Sequence, residues 1–236
     1  MTVSWGNKQD QELFEGIGVS TFDDFMEIEK KELPIDIKVM RQHKDKKSGL
    51  VNRSMIRVIV KNEIFYLKRT SGKAFINISN EYDAIQILPK FNLVPPEIAA
   101  YKLDQESSSG FILLKDLKGY YSIKELLTGK ASESAIKDFN ERIEDILKSV
   151  ADKIESVHSA NYAFPDWFGK HLYIKEKSDD IVLIDLERFR PLSKSPWYFG
   201  FPIVSIFIKR KFWRKLRNSL LEDGMDSMLV NKFLHG

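Results

Sequence analysis

The sequence predicts an α+β chain of two lobes, a β-rich first lobe carrying one helix and a shorter, mainly helical second lobe. Three observations lead there. A β-branched run at 54–60 and a second strand-like run at 63–68 read as a hairpin. Apolar residues at helical spacing follow in Tyr82, Ile85 and Leu88, before further strand signals. A much longer helical stripe then occupies 134–158. The expected division is 1–116 for the first lobe and 117–236 for the second, with the lobes meeting near 115–119.

Taken in order, residues 1–34 give a weak signal. Phe22, Phe25, Met26 and Ile28 suit a short helix or an irregular lead-in that stops near Pro34. Ser54-Met-Ile-Arg-Val-Ile-Val60 and Glu63-Ile-Phe-Tyr-Leu-Lys68 are joined by Lys61-Asn62, a turn-sized gap, so Lys68 is expected at a strand end. The helix at 79–88 has Ser79 or Asn80 available as its N-cap. Pro95-Pro96 breaks it, 98–103 suits a strand, 104–110 a polar turn, and Phe111-Ile-Leu-Leu114 a short buried strand. Ile136, Phe139, Ile143, Ile146, Val150, Ile154 and Val157 then step by three and four, which predicts one continuous helix with a single buried face. A loop at 159–170 leads to Leu172-Tyr-Ile174 and Ile181-Val-Leu-Ile184, expected as a second hairpin, and the remainder is aromatic, basic and helical.

Composition narrows the chemistry. With 43% hydrophobic residues, 16 Phe and 8 Tyr, the 236-residue chain has ample material for a core. The absence of cysteine excludes a disulfide scaffold, a Cys-ligated zinc site and thiol catalysis. The net charge of +3 is unevenly spread. Nine cations lie between Arg188 and Leu221 with no acid among them, leaving 28 of the 37 basic residues against all 34 acidic ones elsewhere. An acidic body with a basic C-terminal stretch implies an anionic partner, and no nucleic-acid motif accompanies the charge. The first ten residues lack the apolar stretch of a signal peptide. The longest apolar run, 197–208, is interrupted by Gly200, Pro202 and Ser205 and falls short of the ~20 residues a spanning helix needs. The expected location is the cytoplasm.

Five residues could carry chemistry, and each has an ordinary structural alternative. Lys68 could snorkel from a strand end, and Glu81 could be a solvated helix charge. Asp166 could form a turn, and His171 could be a structural histidine. Asp185 ends an apolar strand, where a carboxylate beside a second carboxylate-bearing loop suits Mg²⁺. Their order is more specific than any member. A strand lysine, a helix glutamate 13 residues on, a loop aspartate, a polar residue five further and an aspartate after an apolar strand form a protein-kinase-like series. In that series the lysine meets the α/β-phosphates and the glutamate orients it. The loop aspartate takes the hydroxyl proton, and the last two hold metal on the phosphates.

The chain resembles the bacterial lipopolysaccharide core kinase family, the Kdo/WaaP type. The resemblance lies in Arg53-Ser-Met-Ile-Arg57 with Phe65-Tyr-Leu-Lys68, Asn80-Glu81 to Leu88, and Phe111-Ile-Leu-Leu-Lys-Asp-Leu117. It continues through Val157-His158-Ser-Ala160, Asp166-Trp-Phe-Gly-Lys-His171 and Ile184-Asp-Leu-Glu-Arg188, about residues 50–190 in all. It implies that Lys68 binds ATP phosphates, Glu81 orients it, Asp166 is the catalytic base, and His171 and Asp185 serve Mg²⁺. Backbone groups of Lys115, Asp116 and Leu117 would face adenine. The implied acceptor is a heptose or Kdo hydroxyl of the lipopolysaccharide core, or another lipid-linked sugar. Departures are plain: Phe164-Pro165 stands where the family has His-Arg, and no G-x-G-x-x-G precedes Lys68. Only Gly49 is present there, with Lys46, Lys47 or Arg53 as other phosphate partners, and His171 is a poorer ligand for a hard cation than an Asn oxygen. Two other functions therefore stay open: a pseudokinase that binds nucleotide without turnover, and a kinase for another small molecule or a protein. The basic stretch 203–217 is either a helix with solvated cations or a peripheral contact with the anionic inner face of the inner membrane.

Overall fold

Alternation along the central strands decides which way the first sheet faces. The computed structural model describes residues 2–45, 49, 51–194 and 202–234. The chain divides into two compact units, one of residues 1–82 with 96–116, the other of 83–95 with 117–236. The first unit holds β1 (Ser4–Trp5), α1 (Lys8–Glu15), α2 (Phe22–Met26), β2 (Asp36–Lys44), β3 (Val51–Val60) and β4 (Glu63–Ser71). After α3 (Phe75–Ile87), which runs from the first unit into the second, it adds β5 (Ile98–Asp104) and β6 (Ser109–Lys115). The six strands form one antiparallel sheet in the order β1-β5-β6-β4-β3-β2.

Ile56, Val58 and Val60 of β3 share one face with Phe65 and Leu67 of β4 and Phe111 and Leu113 of β6, all buried. Phe14 and Phe25 from the N-terminal helices, with Val19 and Ile28 from the segments that follow each helix, cover that face. The Phe25 and Phe111 rings stack at 4.4 Å, and Phe14 meets Phe65 edge-on at 5.0 Å. The weakly patterned first thirty residues are thus core. Both helices are capped by their own sequence, Asn7 accepting from the Asp10 amide and Thr21 with Asp24 closing a capping box. Arg69, 5% exposed, clamps the assembly. Its guanidinium donates to both carboxylate oxygens of Glu29 at 2.6 Å, to Met26 O and to Ser54 Oγ.

Two expectations for this unit are corrected. Lys68 lies inside β4, which continues to Ser71 because β6 pairs with it as far as Ser109. Ser79 and Asn80 are interior to α3 rather than its cap. The helix starts at Phe75 because Phe75 and Ile78 extend the buried stripe one turn earlier. The Lys61-Asn62 turn does form, with positive φ of 47° and 69° at its two central residues, the conformation that matches strand twist in a two-residue hairpin.

The second unit contains β7 (Tyr120–Ser122), α4 (Ile123–Leu127), α5 (Glu133–Glu141), α6 (Ile143–Ser159) and β8 (Tyr162–Ala163). It continues with β9 (Leu172–Lys175), β10 (Ile181–Leu183), β11 (Arg190–Pro191), α7 (Pro202–Glu222) and α8 (Ser227–Phe233). The expected β9–β10 hairpin is present, with β7 added as a third strand on β9. Residues 83–95 join this unit through Val94, which bridges Val182 and donates to Ile181 O at 2.9 Å. The single helix expected over 134–158 is two helices that break at Arg142. Its guanidinium holds Asp138 on α5 and the Ser178 carbonyl and Asp179 carboxylate in the β9–β10 loop. Residues 197–201 of the long apolar run, and Lys46 and Lys47, lie outside the described residues.

Candidate active site

Glu81 occupies a position where α3 would otherwise want an apolar side chain. Phe75, Ile78, Ile85 and Leu88 form the buried stripe, and Glu81, 4% exposed, falls in line with them. A lone buried carboxylate is costly, and its partner resolves the problem. Lys68 points away from the aromatic core, to the face opposite Leu67 and Arg69, and its Nζ meets Glu81 Oε1 at 2.6 Å. The lysine side chain is 16% exposed and the glutamate 5%. Such a pair gains little net stability over an apolar substitute, whereas removing one partner costs ~3–5 kcal/mol. Its presence in a sheet-to-helix contact points to a role other than stability.

A second cluster lies within the other unit. Phe164 and Trp167 are fully buried and touch edge-on at 5.4 Å, anchoring the loop on either side of Asp166. The Asp166 carboxylate, 16% exposed, accepts from Arg188 Nη1 at 3.0 Å through Oδ1 and 3.2 Å through Oδ2. Lys215 of α7 donates to Pro165 O at 3.2 Å. The Asp166 carbonyl meets His171 Nδ1 at 2.8 Å. A carbonyl only accepts, so this contact places a ring proton on Nδ1. Nε2 lies 3.8 Å from Asp185 Oδ2, too long for a hydrogen bond.

Asp185 itself follows β10 with φ 59° and ψ 51°, left-handed backbone that a non-glycine residue adopts at a cost. Ile184 N–H donates to His171 O, fixing the two residues side by side. A ring nitrogen and a carboxylate oxygen at this separation could both reach one cation. Among the described residues no group of three or more His, Cys, Asp or Glu gathers as a metal site. A two-ligand site completed by water and phosphate oxygens is the usual arrangement for Mg²⁺.

The connecting residues are mostly occupied by the fold. Lys115 Nζ reaches Asp10, 3.1 Å away, and Glu97 at 2.7 Å, on the core side of the sheet. Its N–H donates to Glu97 O, and the Asp116 N–H donates to Ile64 O. Leu117 O accepts from the Tyr120 N–H, while the Leu117 amide has no internal acceptor among the described residues. The Tyr66 phenol, on Lys68's face, is held above its ordinary pKa by burial and by the neighbouring Asp116 carboxylate.

The structure therefore brings Lys68 to Glu81, and Asp166, His171 and Asp185 to one another. It adds Arg188, which the sequence did not single out as a partner of Asp166. The signal lay in Asp185-Leu-Glu-Arg188, whose tight turn after Asp185 returns the arginine to the Asp166 loop.

Residues 39–197 match the lipopolysaccharide kinase (Kdo/WaaP) family. Among solved structures the chain is similar to WaaP in complex with acyl carrier protein, with TM-score 0.63 and 17% identity over 99% of this chain and 87% of that one. It is also similar, with TM-score 0.42 and 14% identity, to the autoinhibited serine kinase domain of the giant muscle protein titin, over 65% of this chain and 46% of that one. No curated protein matches it in sequence. The likeness to WaaP shows a shared fold, and the α+β kinase-like architecture expected from the sequence is the one found.

Proposed function

Because this chain belongs to the lipopolysaccharide kinase (Kdo/WaaP) family, and is accordingly a phosphotransferase that uses ATP, we propose that it phosphorylates a heptose or Kdo hydroxyl of the inner core. The observation that carries this reading is the buried Lys68–Glu81 pair at 2.6 Å, a lysine oriented by a carboxylate as phosphate binding requires. Asp166 is the base. The acceptor oxygen attacks the γ-phosphorus, its proton passes to an Asp166 carboxylate oxygen, and the bond to ADP breaks. Arg188 keeps that carboxylate in place, a cation arriving from beyond Asp185 where the family has a basic residue before the aspartate. His171 Nε2 and Asp185 would hold Mg²⁺, which when bound neutralises charge on the transferring phosphate. At the base end, the Leu117 amide is the donor left for an adenine edge.

Two further parts of the proposal concern where the reaction occurs. Among the described residues no helix is long and apolar enough to cross a membrane. Helix α7 turns Phe212, Leu216 and Leu220 inward and leaves Arg210, Lys211 and Arg214 exposed, with Phe207 64% exposed beside them. This supports reversible contact with the anionic inner face of the inner membrane, at ~1 kcal/mol for each basic residue near it. The WaaP complex makes an acyl carrier protein a second partner to test by direct binding. The test of the acceptor is mass spectrometry of the lipopolysaccharide core from cells with and without this protein. Loss of one core phosphate is expected; an unchanged core assigns the kinase to another substrate.

A further inference from the structure

Residues 1–38 precede the family match at 39–197, yet part of this segment reaches the place where the first sheet ends. Ser4 and Trp5 pair with Tyr101 and Ala100 of β5. Gly6 follows, its N–H donating to Ala99 O at 2.8 Å. A Cβ on Gly6 would stand 2.0 Å from Ile98 O, so only glycine permits this approach. Asn7 then caps α1, and Asp10 in the first turn comes to the end of β6. Asp10 Oδ2 lies 3.1 Å from Lys115 Nζ and accepts from Asn7 Nδ2 at 2.7 Å. Lys115 extends the contact to Glu97. Its Nζ is 2.7 Å from that carboxylate, and its N–H donates to Glu97 O at 2.9 Å.

Asp10 is 1% exposed, and its Oδ1 has no hydrogen-bond partner among the described residues. The positive end of α1 favours an acid in the first turn. It does not explain burying one with an oxygen left unpaired, which costs stability. The other bridge from this N-terminal segment, Glu29 to Arg69, pairs both carboxylate oxygens and acts elsewhere. Arg69 lies opposite Phe111, roughly 13 Å along β6 from Lys115. Phe111, Leu113 and Lys115 alternate onto the core face, so the Asp10 bridge lies behind the sheet from Lys68. It can influence a ligand on Lys68's side only through the backbone. There the Lys115 and Asp116 amides are already tied, to Glu97 O and Ile64 O, and the Leu117 amide comes next.

We propose that Asp10 is a positioning residue for the nucleotide: through Lys115 it fixes the strand end from which the chain presents the Leu117 amide to the base. The inference rests on the ATP-dependent reading of the site and adds to it a residue outside both the motif series and the family match. Hydrogen bonds weaken steeply as they lengthen or bend. Cutting the brace therefore takes affinity from the base and not from the phosphate chain.

Binding of ATP and of inorganic tripolyphosphate, each with Mg²⁺ and measured by calorimetry on the full chain, tests it. Asp10→Asn is expected to weaken ATP binding about fivefold, the scale of one lost hydrogen bond, and to leave tripolyphosphate binding unchanged. Lys115→Met should act in the same direction, and it takes over should Asp10→Asn fail to fold. Glu29→Gln cuts the other bridge of this segment. It should lower the melting temperature and leave both affinities at the wild-type level. Equal weakening of the two ligands, or none, in a folded Asp10→Asn or Lys115→Met overturns the inference and leaves the kinase reading standing. Failure of both variants to fold overturns it too, by making the bridge structural, as does a wild-type chain that binds ATP no more tightly than tripolyphosphate. A wild-type chain that binds neither ligand overturns the reading beneath it as well.

Discussion

Glu81 is stable as a buried carboxylate only because Lys68 meets it. Lys68→Met should therefore lower stability by ~3–5 kcal/mol, and adding Glu81→Gln should recover part of that loss. Chemical denaturation of the two variants measures this, and a double variant no more stable than the single one contradicts it. His158 offers a different residue-scale test. It is buried against Phe212 and Trp213, and burial, aided by the charge of Lys209, pushes its pKa down from 6.5 to about 4. Between those values the unfolded chain holds a proton that the folded chain does not. Stability should then fall as pH falls through that window, by up to about 3 kcal/mol. His158→Phe should flatten the acid limb of a melting-temperature profile between pH 6.5 and 4; parallel profiles would show that the histidine is not the cause. At this scale the two side-chain clusters of the candidate site were largely legible. Lys68, Glu81, Asp166, His171 and Asp185 are separated by intervals that follow the chain, and the sequence prints those intervals. Arg188 was not, because its contact with Asp166 depends on a turn that returns the chain over 22 residues.

Helix α6 and helix α5 are separate because of one side chain. The apolar steps of three and four pass unbroken through 134–158, so hydrophobic spacing alone could not reveal a joint at Arg142. What breaks the helix is polar: Arg142 ties Asp138 to the loop between β9 and β10, the hairpin whose ends carry His171 and Asp185. Arg142→Ala should loosen that hairpin, weakening Mg²⁺-dependent nucleotide binding while leaving the Lys68–Glu81 pair unaffected. Hydrogen exchange of residues 172–183 in the variant checks it, and unchanged protection there contradicts it. The same pair makes a statement about acid. The Arg142 hydrogen bond, stronger than the opposing effect of burial, holds Asp138 below the ordinary aspartate range. Its stabilisation is complete at neutral pH and is lost only as pH falls through that lowered value. Elements with alternating or periodic burial, β3, β4 and α6, were legible from sequence. The start of α3 and the role of residues 1–30 were not, since their aromatic residues acquire meaning only against Phe65 and Phe111 on distant strands.

Across the whole molecule, the net charge of +3 divides into an acidic body and a basic C-terminal stretch, and the structure divides the stretch again. Arg188 and Lys215 grip the Asp166 loop, whereas Arg210, Lys211 and Arg214 face solvent along α7. Neutralising those three exposed cations should weaken binding to vesicles containing anionic lipid and spare ATP binding; vesicle binding that survives would make them a solvated face only. The central claim is narrower and concerns the reaction. It is tested most directly by following the γ-phosphate of ATP onto purified lipopolysaccharide core with the wild-type chain and with Asp166→Asn. Transfer by the wild type, reduced ~10²–10⁴-fold in a variant that still folds and binds ATP, is the predicted result. Transfer undiminished in the variant, or absent from the wild type with core acceptor and Mg-ATP supplied, would contradict it.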